Sequence, residues 1–224
     1  MAENGKMDTA LLKRAKRYKP RKAMFMQRDI VNSVTMFDGF VPVRGTWTIA
    51  SADADGDGIF EQYLDITAVG AGSNPLGLML LPASEFSAAN VELAGRVRAS
   101  PAGRTMTMVA RAVDTGGGAI NGYGVWWRFT GTTINVEKYT AGVPSTIAST
   151  SSKSLTAGEE IRMRVENVAT GVRIRVWIEG TLFIDYIDTS SPHTAAGRVG
   201  LGTDNAVALD YQPFSWREIL YPDA

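Results

Sequence analysis

The chain has 224 residues, 45% of them hydrophobic and 21% charged, with no cysteine. This excludes a disordered chain, a bilayer span (no apolar run approaches the roughly 18–20 residues needed), disulfides, thiolate metal sites and cysteine nucleophiles. The 23 basic and 23 acidic side chains cancel overall but not locally: residues 1–29 hold nine Lys or Arg against three acids, so a +6 arm is joined to a −6 body.

The arm is too short to bury a core of its own, whereas residues 30–224 suit one domain. Asp8 to Tyr18 offers good helix formers with Leu11, Leu12 and Ala15 on one side of a basic surface carrying Lys13, Arg14 and Arg17, and Pro20 ends the stretch. Directly after the basic run come Met24, Phe25 and Met26, an apolar cluster that a free tail would leave in water. These residues, in an extended or helical arm, are expected to dock on a partner. A solvated tail is the alternative. The acidic body and the lack of interleaved aromatics argue against nucleic acid as that partner. Residues 1–30 also lack the apolar stretch of a secretory signal, so that export route is not expected.

Asp53-Ala54-Asp55-Gly56-Asp57-Gly58 alternates carboxylates and places Gly at the sixth position, the arrangement by which a short loop wraps a hard cation. The segment resembles the strand-to-strand Asp-x-Asp-x-Asp-Gly loops of extracellular β proteins, which implies Asp53, Asp55 and Asp57 as side-chain ligands, Ile59 through its carbonyl, and Glu61 or Asp65 closing the shell around a structural Ca2+. The twelfth position is Leu64 rather than Glu and no flanking helices are expected, so an EF-hand is excluded. An exposed acidic turn is the competing reading.

Beyond the loop, short Val-, Ile-, Thr- and aromatic-rich segments recur with period-two alternation between Gly, Asn, Asp and Pro turns. Strands are expected at Glu92–Ala99, Met106–Val113, Gly124–Phe129, Ile134–Tyr139, Ile161–Val168, Val172–Ile178 and Leu182–Ile187. Turns are expected at Gly116–Gly118, Thr130–Thr132, Ala169–Gly171 and Glu179–Gly180. Ile161–Glu166 and Val172–Val176 alternate strictly, giving each strand one dry and one charged face, as in half of a sandwich. Trp126 and Trp127 are neighbours on one strand, so one faces the core and the other the outer surface. With Tyr123, Arg128 and Tyr139 they are the candidates for a patch that stacks sugar rings.

The run Gly122-Tyr123-Gly124-Val125-Trp126-Trp127, then Gly158 to Val165, Ile174 to Gly180, Gly197-Arg198-Val199-Gly200-Leu201 and Asp210 to Phe214 resembles the second half of the concanavalin A-like, laminin-G-like jelly-roll superfamily. Phe37–Phe40 with Gly45-Thr46-Trp47 resembles its opening. The resemblance implies an all-β, two-sheet antiparallel jelly-roll sandwich and a second ion position between Asp38 and Asp210. It says little of function. Catalysis is not expected: the single histidine, His193, sits in a loop, and there is no Gly-x-Ser-x-Gly elbow, no paired-acid strand and no phosphate loop.

A lectin-like body without an export signal or disulfide, carrying a basic arm, points to a non-enzymatic bacteriophage virion protein. On this reading a capsid decoration or head or tail appendage subunit, made in the host cytoplasm, docks on other virion proteins as a multimer and is displayed after lysis. The alternative is a carbohydrate-binding module for cell-surface or polymeric glycans.

Overall fold

The computed structural model describes residues 18–23, 40–52, 61–68, 75, 77–97, 105–128, 131–156, 158–203 and 211–219. These residues form strands and turns only. The strands are β1 (Tyr18–Ala23), β2 (Val41–Arg44), β3 (Thr46–Ala52), β4 (Glu61–Ala68), β5 (Gly77–Leu80), β6 (Val91–Val97), β7 (Thr105–Gly116), β8 (Ala119–Arg128), β9 (Ile134–Thr140), β10 (Val143–Thr150), β11 (Glu160–Val168), β12 (Gly171–Ile178), β13 (Thr181–Asp188), β14 (Arg198–Thr203) and β15 (Tyr211–Ile219).

All pairing is antiparallel. One sheet runs β13-β12-β11-β6-β15-β4-β3, with β1 also on β15, and the other runs β10-β9-β8-β7-β14-β5-β2. The expected two-sheet sandwich is present. Its core comes from alternate residues of both inner faces: Met106, Met108, Tyr123, Val125, Trp127, Ile134 and Val136 from the seven-stranded sheet meet Val91, Leu93, Ile161, Met163, Val165, Ile174 and Val176 from the other. The alternation is cleanest in β12, where every second residue is buried.

The turns are those the sequence asks for. Glu179 and Gly180 both have positive φ (48° and 76°), the two-residue geometry whose twist suits a tight hairpin. Ala141 and Gly142 (49° and 77°) do the same between β9 and β10.

Strand pairing begins inside the basic segment. Tyr18–Ala23 pairs with β15, Tyr18 opposite Ile219 and Lys19 opposite Glu218, and the register shifts between Lys19 and Lys22. Pro20 lies in that shift, where its missing N–H costs the ladder nothing. On this side of β15, β4 pairs only at Tyr211, which leaves Ser215–Ile219 to β1. The rest of the stretch expected as a helix lies outside the described residues.

Candidate functional site

Strand phase decides which face each side chain serves. In β8, Tyr123, Val125 and Trp127 enter the core, so Gly122, Gly124 and Trp126 face outward from the seven-stranded sheet. In β9, Ile134, Val136 and Lys138 face inward, leaving Asn135, Glu137 and Tyr139 outside.

The outer face has two halves. Leu78, Leu80, Val109, Ala112, Ile120 and Tyr139 form a second buried apolar cluster there. Tyr139 reaches it by lying across Gly124: a Cβ at Gly124 would stand 2.9 Å from the Tyr139 ring and 2.9 Å from the Thr107 methyl group. The Tyr139 hydroxyl donates to Glu137 Oε2 at 2.7 Å, which fixes that carboxylate at the boundary between the halves.

Beyond Tyr139 the face is partly open. Trp126 is half-buried, with Asn135 its partner on β9 and Thr107 its partner on β7. The exposed Arg128 lies two residues along the same face, its guanidinium carbon 5.8 Å from the Trp126 ring centroid, within range of a cation–π contact. Glu137 and Asn135 are half-buried beside it. An aromatic plate, a guanidinium, an amide and a carboxylate therefore share one surface. These are groups that stack on a sugar ring and bind its hydroxyls.

Of the five residues expected to line a glycan patch, the structure brings only Trp126 and Arg128 together on the open surface. Tyr123 and Trp127 are corrected to core residues, 0% and 1% exposed, because their strand phase turns them between the sheets. Tyr139 is on the right face but buried at 1% exposure, sealed against Gly124. Asn135 and Glu137 were not singled out by sequence, although the alternation Ile134-Asn135-Val136-Glu137 carried the signal.

Tyr123 instead anchors a buried polar network. Its hydroxyl donates to Asp188 Oδ2 at 2.7 Å and accepts from the His193 backbone N–H at 2.9 Å. Lys138 Nζ lies 2.9 Å from the same Asp188 oxygen and donates to the carbonyls of Ser190 and Ser191. His193 Nε2 meets the Tyr139 carbonyl at 2.8 Å. Burial pushes the Tyr123 phenol pKa well up, and the hydrogen bond to Asp188 adds to that. Burial opposes charge on Asp188, yet the bonds from Tyr123, Lys138 and the Ser190 N–H outweigh it and hold the carboxyl below its ordinary value. His193, expected to be an ordinary loop histidine, pins the 189–197 loop onto the end of β9.

Residues 53–60, with Asp53, Asp55, Asp57 and Ile59, lie outside the described residues, as do Asp38 and Asp210. Glu61 and Asp65 fall on β4, opposite Ala52 and Thr48. Among the described residues no group of three or more His, Asp or Glu side chains is placed to hold a metal ion. The docking candidates Leu11, Leu12, Lys13, Arg14, Arg17, Met24, Phe25 and Met26 are also outside the described residues.

No protein-family model matches the chain and no curated protein matches it in sequence. Solved structures do match. A carbohydrate-binding module from Bacillus subtilis superposes with a TM-score of 0.55 at 16% identity, over 80% of this chain and 94% of that one. The carbohydrate recognition domain of Emp46p, in a potassium-bound form, gives 0.55 at 8% identity, over 89% of this chain and 97% of that one. A Bacillus subtilis protein of unknown function described as galectin-like gives 0.54 at 13% identity, over 89% and 97%. The fold is a galectin-like jelly roll. At these identities the likeness carries the fold alone, consistent with the concanavalin A-like resemblance. Nothing in these neighbours supports the expected virion role. The Emp46p domain is also described in a metal-free form, so the shared architecture is kept there without the ion.

Proposed function

We propose that this protein is a non-catalytic carbohydrate-binding domain. Its glycan seat is the open half of the seven-stranded sheet's outer face: Trp126 stacks on a pyranose ring, Asn135 and Glu137 bind hydroxyls, and Arg128 closes one side. The observation that carries the reading is the Trp126–Arg128 pair standing on a partly open sheet face beside the Asn135 amide and the Glu137 carboxylate, the latter held by Tyr139. Carbohydrate-binding and carbohydrate recognition domains among the structural neighbours support the same class. The Asp53–Asp57 loop, with Ile59, Glu61 and Asp65, enters the proposal as a Ca2+ site that stiffens its own loop.

A glycan array followed by calorimetry tests the seat. Trp126→Ala should abolish binding while the melting temperature stays within a few degrees, because the ring is on the surface. Retained affinity in a folded Trp126→Ala protein would remove the seat from this face. Titration with Ca2+ at millimolar concentration should give heat and raise the melting temperature, and Asp55→Asn should remove both effects.

A further inference from the structure

Arg111 is a buried cation without an anionic partner. It is 1% exposed, yet its only hydrogen bonds run from NH1 to the Asn167 side-chain oxygen at 2.8 Å and to the His193 carbonyl at 2.8 Å. Both acceptors are neutral. Its Nε and NH2 groups are buried with no acceptor. Burial lowers its pKa to about 10, with Tyr123 and Glu166 acting the other way, so the guanidinium stays charged at neutral pH.

The neighbouring carboxylates contact other cations, not Arg111. Asp188 is taken by Lys138, and Glu166 lies between Arg164 and Arg175. The neighbouring cations Lys138, Arg164 and Arg175 each touch a carboxylate. Buried polar groups in native proteins are nearly always paired, and a buried charge left without a counter-charge is costly.

The backbone at this position is also held unusually. Arg111 has φ of +55° at the bulge where β7 shifts register on β8. Gly197 presses on it so closely that a Cβ there would stand 2.4 Å from the Arg111 carbonyl carbon. Sparsely populated backbone geometry around a charged side chain marks a place the fold over-determines. The 189–197 loop closes over the guanidinium, since Asn167 Nδ2 also donates to the Thr194 carbonyl at 3.0 Å.

We propose that the Arg111 guanidinium, beneath the 189–197 loop, is the seat of a small monovalent anion of the halide class, accepted by Nε–H and NH2. Because Nε and NH2 are both buried, an ion bound there must be small enough to be enclosed. A halide supplies the missing counter-charge without asking for further donors. This site is distinct from the glycan seat, because Arg111 is turned into the sandwich while Trp126 faces out.

The test uses the full chain at constant ionic strength. Sodium chloride or bromide replaces sodium gluconate, whose anion is too large to enter. The melting temperature should rise with halide, by about 3–6 °C for each tenfold increase above the dissociation constant in a protein of this size. Crystals grown in bromide should show an anomalous peak within hydrogen-bonding reach of Arg111 Nε and NH2. Asn167→Asp places a carboxylate on NH1. Whatever it does to the absolute melting temperature, it should flatten the halide dependence. Equal melting temperatures in gluconate and chloride, a non-anomalous peak of water at Arg111, or an undiminished halide slope in Asn167→Asp would each overturn the proposal.

Discussion

Tyr123→Phe separates the inner network from the outer face by a single oxygen. The ring keeps its place among Val125, Trp127 and the facing sheet, so no cavity opens. What disappears is one hydrogen bond to a charged acceptor, Asp188, and one received from the His193 N–H. Bonds to charged groups contribute about 1.5–3 kcal/mol and neutral ones about 0.5–1.5 kcal/mol, so the expected loss is about 3 kcal/mol. For a chain of this length that is a fall of about 6–12 °C in melting temperature, measured by calorimetry. The acid limb should change as well. Asp188 has a folded pKa below its ordinary 3.8, so its contribution is complete above that pH and is lost as pH falls through the folded value. Without the Tyr123 bond the depression is smaller, and the loss of stability below about pH 4 should be shallower. A fall of less than about 2 °C, with an unchanged acid limb, would refute the idea that Tyr123 joins Asp188 to the loop.

His193 should make stability sensitive near neutrality. Burial lowers its pKa below 6.5, with Lys138 and Arg111 acting in the same direction against the Tyr139 carbonyl and Asp188. Its contribution is therefore complete above 6.5 and lost as pH falls through the lower folded value, and His193→Gln should flatten melting temperature against pH across that window. Gly200→Ala should destabilise by about 3 kcal/mol or more, read from urea unfolding, since its Cβ would meet the Met79 carbonyl oxygen at 2.1 Å and Leu80 at 2.5 Å. Removing residues 1–17 should leave the melting temperature nearly unchanged, whereas removing 1–23 takes β1 from β15 and should lower it by several degrees. Equal melting temperatures for the two truncations would show that β1 contributes nothing.

Much of the fold was legible because half-buried strands write their burial into alternate residues. All seven strands expected between residues 92 and 187 are present, and β12 shows why: Val172, Ile174, Val176 and Ile178 alternate with Arg173, Arg175 and Trp177. Where the pattern fails, so did the reading. The Ser- and Thr-rich β10 lies along an edge of the seven-stranded sheet with no clean alternation, and β5 (Gly77–Leu80) is buried on both faces and reads as a plain apolar run. β1 (Tyr18–Ala23) follows the stretch expected as a helix, overlapping it only at Tyr18, and its basic residues carry no alternation that marks a strand; the free flank of β15 supplies the ladder. The polar network was not legible at all. Tyr123 and Asp188 are 65 residues apart, and nothing local marks either as the other's partner.

The pair Trp126-Trp127 shows how the two halves of the site depend on each other. Alternation says that one ring faces out but not which one, and the choice is made elsewhere on β8. Position 122 has no room for a side chain, because a Cβ there would stand 2.9 Å from the Ala110 carbonyl oxygen, and Gly124 must face outward to admit the Tyr139 ring. Tyr123 must face inward to meet Asp188. A one-residue slip would reverse both at once, driving Trp126 into the core and leaving the Asp188–Lys138 pair without its phenol. The inner hydrogen bonds thus fix the phase of the strand, and the phase of the strand fixes Trp126 on the open face. A substitution that loosens Tyr123 or Asp188 should therefore weaken glycan binding without touching the binding surface, in proportion to the fraction of molecules that lose the register.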